Sequence, residues 1–117
     1  MTPEGFILDA ILDYLAADRV VAWRMNTGAL KVDNRFIRFG VPGFADILAI
    51  PTVSGNFKGI PCSWTVPLFI EVKAEKGRQS AEQKSFEAQV KDAGAEYLLA
   101  RSVEDVQAWM RKNGVRK

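Results

Sequence analysis

An aspartate stands inside an otherwise apolar run, and that conflict limits what this chain can fold into more than any other feature. Phe44-Ala45-Asp46-Ile47-Leu48-Ala49-Ile50 is apolar on both faces of an extended strand except at Asp46. A buried, unpaired carboxylate there would cost several kcal/mol, so it requires a metal, a cation or a proton. The same conflict recurs in Phe69-Ile70-Glu71-Val72-Lys73. Strand alternation points Glu71 and Lys73 to one face, and Leu68, Ile70 and Val72 to the other. If the two strands are neighbours, their carboxylates converge.

Composition narrows the chemistry. The chain has 117 residues, room for one domain spanning 1–117. With no histidine at all, His-based triads, imidazole relays and His-containing zinc sites are excluded. Cys62 is the only cysteine, which rules out an intrachain disulfide and fits a reduced, cytoplasmic setting. Neither a signal-peptide pattern nor a membrane-length apolar run is present, so the expectation is a protein with no membrane association. The formal charge of +2 gives no global field for capturing a polyanion, so any basic site must be local. The charges are in fact segregated. Residues 1–18 carry Glu4, Asp9, Asp13 and Asp18 with no base, while 19–40 carry Arg19, Arg24, Lys31, Arg35 and Arg38 against Asp33 alone.

Thr2-Pro3 reads as an N-cap and first helical position for a helix to about residue 17. Strands are expected over Val20–Asn26, Arg35–Phe39, Phe44–Ile50 and Leu68–Lys73, with 51–65 as a long connection. Ser80 and Gln83 form a capping box for a helix closed by Gly94; Tyr97–Ala100 is a strand, and Ser102 opens the last helix. The order α-β-β-β-β-α-β-α predicts an α/β fold, a mixed sheet flanked by helices.

An Asp on one strand with Glu-x-Lys on the next suits phosphodiester hydrolysis. Two carboxylates can hold Mg²⁺ through oxygen, and the metal can activate water without histidine. Lys73 then orients the water and offsets developing charge. The competing interpretation is an ordinary strand ion pair of Lys73 and Glu71 bridging to Asp46. Glu4 shares the inward stripe of Ile7 and Ile11 and can reach the rim of the sheet, or it simply complements the helix dipole. Gln83 is explained by the capping box, yet it also precedes Phe86 and Val90 on the sheet-facing stripe.

These residues resemble the VRR-Nuc domain, a branch of the PD-(D/E)XK nuclease superfamily. The matching pieces are Glu4, Trp23-Arg24-Met25-Asn26-Thr27-Gly28, Arg35-Phe36-Ile37-Arg38-Phe39-Gly40 and Pro42-Gly43-Phe44-Ala45-Asp46. They continue with Phe69-Ile70-Glu71-Val72-Lys73, Lys76-Gly77-Arg78, Ser80-x-x-Gln83 and Phe86. Ala45 stands where the superfamily name would put proline. The resemblance implies a restriction-endonuclease-like core. It implies Asp46 and Glu71 as metal ligands, helped by the Val72 carbonyl and by Glu4 directly or through water, with Lys73 as catalytic lysine and Gln83 as a helper. Mg²⁺, with Mn²⁺ as substitute, is the implied cofactor, and no organic cofactor is expected. Stand-alone members are similar to phage and bacterial homodimers acting on branched DNA such as Holliday junctions, which places the chain in a bacterial cell or phage-infected host.

Arg24, Asn26, Lys31, Arg35, Arg38, Lys76, Arg78 and Lys84 are the expected DNA-contacting residues. They are suited to phosphates rather than base edges. Two other classes remain: a non-catalytic branched-nucleic-acid-binding module that keeps the fold, and a small interaction protein using Trp64 and Trp109.

Overall fold

The computed structural model describes residues 2–25 and 41–115 in full, and 28–32 and 35–39 by their backbone. Thr2 opens the first helix as expected: its Oγ1 accepts the Gly5 N–H at 3.0 Å, and Pro3 occupies a position where no N–H is needed. Helix α1 (Pro3–Ala17) buries Leu8, Ile11 and Leu15. The chain continues through β1 (Val21–Arg24), β2 (Gly28–Val32), β3 (Arg35–Phe39), β4 (Ile47–Ile50), β5 (Thr52–Phe57), β6 (Ile60–Thr65) and β7 (Leu68–Val72). Helix α2 (Ala81–Asp92), strand β8 (Glu96–Ala100) and helix α3 (Val103–Lys112) complete it.

The main sheet has the order β1-β4-β7-β8. Its first two pairings are antiparallel, and the β7–β8 pairing is parallel, reached by a crossover through α2. The expected mixed sheet flanked by helices is therefore present. One face, lined by Ile47, Ala49, Leu68, Ile70 and Val72, packs with α1 and α3 into the main core. On the opposite face Phe69 meets Phe86 of α2 edge-on at 5.3 Å, and Phe44 lies 4.6 Å from Phe86. Such clusters add to area burial and orient the rings. They fasten α2 over β7.

Three expectations need correction. The segment 51–65 is not an irregular connection but a hairpin, β5–β6, turned by Lys58 and Gly59 at φ +50° and +82°. Positive φ at both turn residues matches the twist of the flanking strands, which is why two residues suffice. A second strand, β2, precedes Arg35–Phe39 and pairs with it from Gly28↔Phe39 to Val32↔Arg35, where Thr27-Gly28 reads from sequence only as a break. The chain thus has seven strands before α2 rather than four. Finally, β4 begins at Ile47, so Asp46 stands at the strand's entrance and not within it.

Phe86 is the buried residue of α2 and touches Phe44, Phe69 and Tyr97. Phe86→Ala should lower the unfolding free energy by about 3 kcal/mol, read from the urea midpoint at unchanged slope.

Candidate active site

Strands β4 and β7 pair with Ile47 opposite Ile70, so continuing the register one step sets Asp46 across from Glu71. Cross-strand partners point to the same face. At that step the ladder gives way to a side chain: Asp46 Oδ2 accepts the Val72 N–H at 2.7 Å. The Asp46 carbonyl accepts the Met25 N–H at 2.8 Å, which holds the end of β1 beside the same point. Asp46 is half-buried and hydrogen-bonded to main chain, so it is not the unpaired buried acid expected from its sequence context.

The uncompensated acid is Glu71, only 1% exposed. Its Oε2 accepts Gln83 Nε2 at 2.9 Å and lies 3.8 Å from Lys73 Nζ, while Oε1 is buried without a partner. Burial, reinforced by the adjacent Asp46 carboxylate, pushes its pKa up to about 8 against the opposing pull of Lys73. Lys73 shares the face of Glu71, as strand alternation predicts, and its backbone N–H is tied to Ala100 O at 3.0 Å.

Gln83 carries two roles with one side chain. Its Oε1 accepts the Ser80 N–H at 2.8 Å, and its own N–H donates to Ser80 Oγ at 3.1 Å, which completes the capping box. The remaining amide nitrogen is the one that reaches Glu71. The distance between helix and strand is set by Gly43, whose φ is +77° and whose missing Cβ would strike Glu82 O and approach Gln83 N at 2.8 Å. Here glycine serves both a left-handed backbone and a close approach.

Glu4 does not join the inward stripe. It is exposed, and it lines an open cleft of about 200 Å³ together with Arg24, Asp46 and Val72. Its one-residue offset from the buried Leu8–Ile11–Leu15 stripe leaves it at the mouth. Beyond Lys73 the chain turns back on itself, with Gly77 lying against the Lys73 stem and Lys76 and Arg78 beside it. Arg101 holds this turn: its Nη1 donates to the carbonyls of Ala74, Glu75 and Gly77 at 2.6, 3.1 and 2.9 Å. Sequence reasoning missed Arg101, because nothing local at the end of β8 points to a loop more than twenty residues earlier. Lys84 is exposed on α2. Asn26 and the side chains of Lys31, Arg35 and Arg38 lie outside the described residues, although the β2–β3 hairpin bearing the last three is inserted between Arg24 and Asp46.

The donor set fits a hard divalent cation. It consists of carboxylate oxygens, one of them buried and unsatisfied, with no competing soft ligand. Among the described residues no three Asp, Glu, His or Cys side chains converge on a point. Such an ion would therefore rely on Asp46 and Glu71 supplemented by backbone and solvent oxygen.

The arrangement defines a class: a mixed α/β fold with two facing carboxylates and a lysine at one end of its central strands. A solved structure described as a VRR_NUC domain shares this fold with a TM-score of 0.61 and 20% sequence identity, over 95% of this chain and 97% of that one. Neither protein-family models nor curated proteins give a match. Among the described residues no helix is long and apolar enough to cross a membrane.

Two outcomes follow from this geometry. Because Glu71 titrates higher folded than unfolded, the folded state keeps a proton between about pH 4.5 and 8 that the unfolded state has released, and stability falls as pH rises through that window. In metal-free buffer Glu71→Gln should therefore raise Tm by several °C at pH 9 and leave it nearly unchanged at pH 4. Gly43→Ala should lower stability by more than about 1 kcal/mol in urea titrations, because it combines positive φ with a backbone clash.

Proposed function

We propose that this chain is a nuclease of the VRR-Nuc type: a Mg²⁺- or Mn²⁺-dependent endonuclease that hydrolyses phosphodiester bonds in DNA, with branched DNA such as Holliday junctions as its preferred substrate. The observation that carries this reading is the buried Glu71 carboxylate facing Asp46, with one oxygen unsatisfied and Lys73 beside it. A buried acid held at a raised pKa is poorly suited to a purely structural ion pair and well suited to a site completed by a cation. The shared fold supports the same reading.

Asp46 and Glu71 would hold the ion, with the Val72 carbonyl and, through water, Glu4 completing its oxygen shell. When bound, a divalent cation supplies a more acidic water and stabilises charge on the phosphoryl oxygens. The chain's own residues do the remaining work. Lys73 is an ammonium donor in a largely buried position, its side chain 13% exposed, and it offers a proton to the attacking water or a non-bridging phosphate oxygen. Gln83 keeps Glu71 Oε2 occupied, which fixes the carboxylate plane and turns Oε1 toward the site. Arg24 on the cleft wall and Lys76 and Arg78 on the turn held by Arg101 provide phosphate contacts that position the backbone without reading bases. A homodimer suits this substrate, because a junction presents two symmetry-related strands.

Incubation with four-way junctions, flaps and plain duplex in Mg²⁺, Mn²⁺ and EDTA tests the proposal. Wild type should cut branched DNA only with metal. Asp46→Asn and Lys73→Ala should cut at least ~100-fold more slowly while still binding the junction. Absence of cutting, or equal cutting by the variants, would sink the proposal, and tight junction binding by a wild type that never cuts would indicate a non-catalytic binding module instead.

A further inference from the structure

The β5–β6 hairpin has a function of its own to account for. Its register pairs Val53 with Trp64, Gly55 with Cys62 and Phe57 with Ile60. Opposed residues share a face and alternate residues return to it, so these six form one surface of the hairpin. Thr52, Ser54, Asn56, Pro61, Ser63 and Thr65 form the other. The hairpin is amphipathic, yet beyond the buried Val53 its apolar face is open: Phe57 is 66% exposed, Ile60 65% and Trp64 48%. Those three side chains present roughly 350 Å² of contiguous apolar surface, the scale at which an exposed patch marks an interaction site.

Position and charge narrow what covers it. β4 runs away from Asp46 toward Ile50, and β7 runs back from Leu68 toward Glu71. The hairpin inserted between them therefore grows from the end of the sheet opposite the carboxylates, and an occupant there leaves the cleft open. Residues 47–70 contain one charge, Lys58 at the turn. A polyanion or a charged peptide would find almost nothing to pair with along this face, whereas an equally uncharged apolar face would. The root is held to the body by the Val53–Val115 bridge and by Ser54 N–H to Gly114 O at 2.9 Å, so the arm is presented in a defined direction.

We infer that the apolar face of the β5–β6 hairpin is the surface on which two copies of this chain pair. The face is self-complementary in relief. Its tip carries Phe57 and Ile60, its middle carries Gly55 and Cys62, and its root carries Trp64, whose indole lies so close over Gly55 that a Cβ there would meet the ring at 3.0 Å. In a twofold, antiparallel packing the bulky tip of one copy lies over the root of the other, and the low middles face each other at the axis. The charged turns then sit at opposite ends, away from one another. The three exposed side chains alone bury about 700 Å² over both copies, and their flanking main chain brings this to the ~1,000 Å² of a modest but specific interface. Cys62 of each copy approaches the axis.

The pairing surface does not rest on the nuclease reading and is tested apart from it. Light scattering of the full chain at tens of micromolar should give twice the chain mass of 13.0 kDa. A short bismaleimide should link Cys62 to Cys62, with no product from Cys62→Ser. Phe57→Asp combined with Ile60→Asp should raise the dimer dissociation constant at least ~100-fold with Tm essentially kept, while Asn56→Asp on the polar face should leave it unchanged. Three results overturn the inference: a monomeric wild type at about 100 µM, a dimer that survives the double substitution, or a dimer whose Cys62 thiols never crosslink. Loss of junction binding or of vesicle binding by the double variant, at unchanged mass, would likewise overturn it in favour of another occupant.

Discussion

The hydrogen bond from the Val72 N–H to Asp46 Oδ2, at 2.7 Å, is the constraint on which the working end of this molecule depends. It replaces a rung of the β4–β7 ladder with a side chain, and so decides where pairing stops and where the site begins. A backbone N–H donor lets Asp46 remain at the entrance of an apolar strand without a full desolvation penalty. The cost is transferred to Glu71, which the same register sets opposite and which burial leaves with an unsatisfied oxygen. A carboxylate held in this way stores the free energy that a cation can release.

The surrounding structure is arranged to keep that carboxylate in place. The aromatic contacts of Phe44, Phe69 and Phe86 press α2 onto β7. Gly43 allows the approach at the helix N-terminus, and Gln83 converts a capping residue into a brace for Glu71. On the other side of the strand end, Arg101 binds three carbonyls and folds the basic turn back beside Lys73. The two ends of the sheet thereby differ in kind. The end with the carboxylates is polar and flanked by basic residues, while the opposite end carries an almost uncharged amphipathic arm.

Much of this was legible from local chemistry. Thr2-Pro3 and Ser80-x-x-Gln83 are caps whose hydrogen bonds span three residues, and both form as the spacing predicts. Alternation in Phe69–Lys73 correctly put Glu71 and Lys73 on one face, since strand periodicity is a property of the backbone. The hairpin at 52–65 was obscured because Gly55, Gly59 and Pro61 are weak strand formers. Its alternating Val53, Phe57, Ile60 and Trp64 pattern acquires meaning only once the Lys58-Gly59 turn is recognised. Glu4 was misplaced by one step of a helical stripe, which is enough to move a side chain from the core to the rim of a cleft.

Residue types and spacing thus determined, without any coordinates, that the chemistry had to come from carboxylates and lysine, and which strand carries Glu71 with Lys73. They also located the helix caps, because those are decided by near neighbours in the chain. Tertiary structure alone decided that β4 and β7 lie side by side with a hairpin between them in sequence, and that Glu71 rather than Asp46 bears the burial. It also decided that Arg101 and Gly43 serve the site from a distance. These outcomes depend on register and on solvent exclusion, which arise only when separated segments pack together, and no local pattern in the chain encodes them.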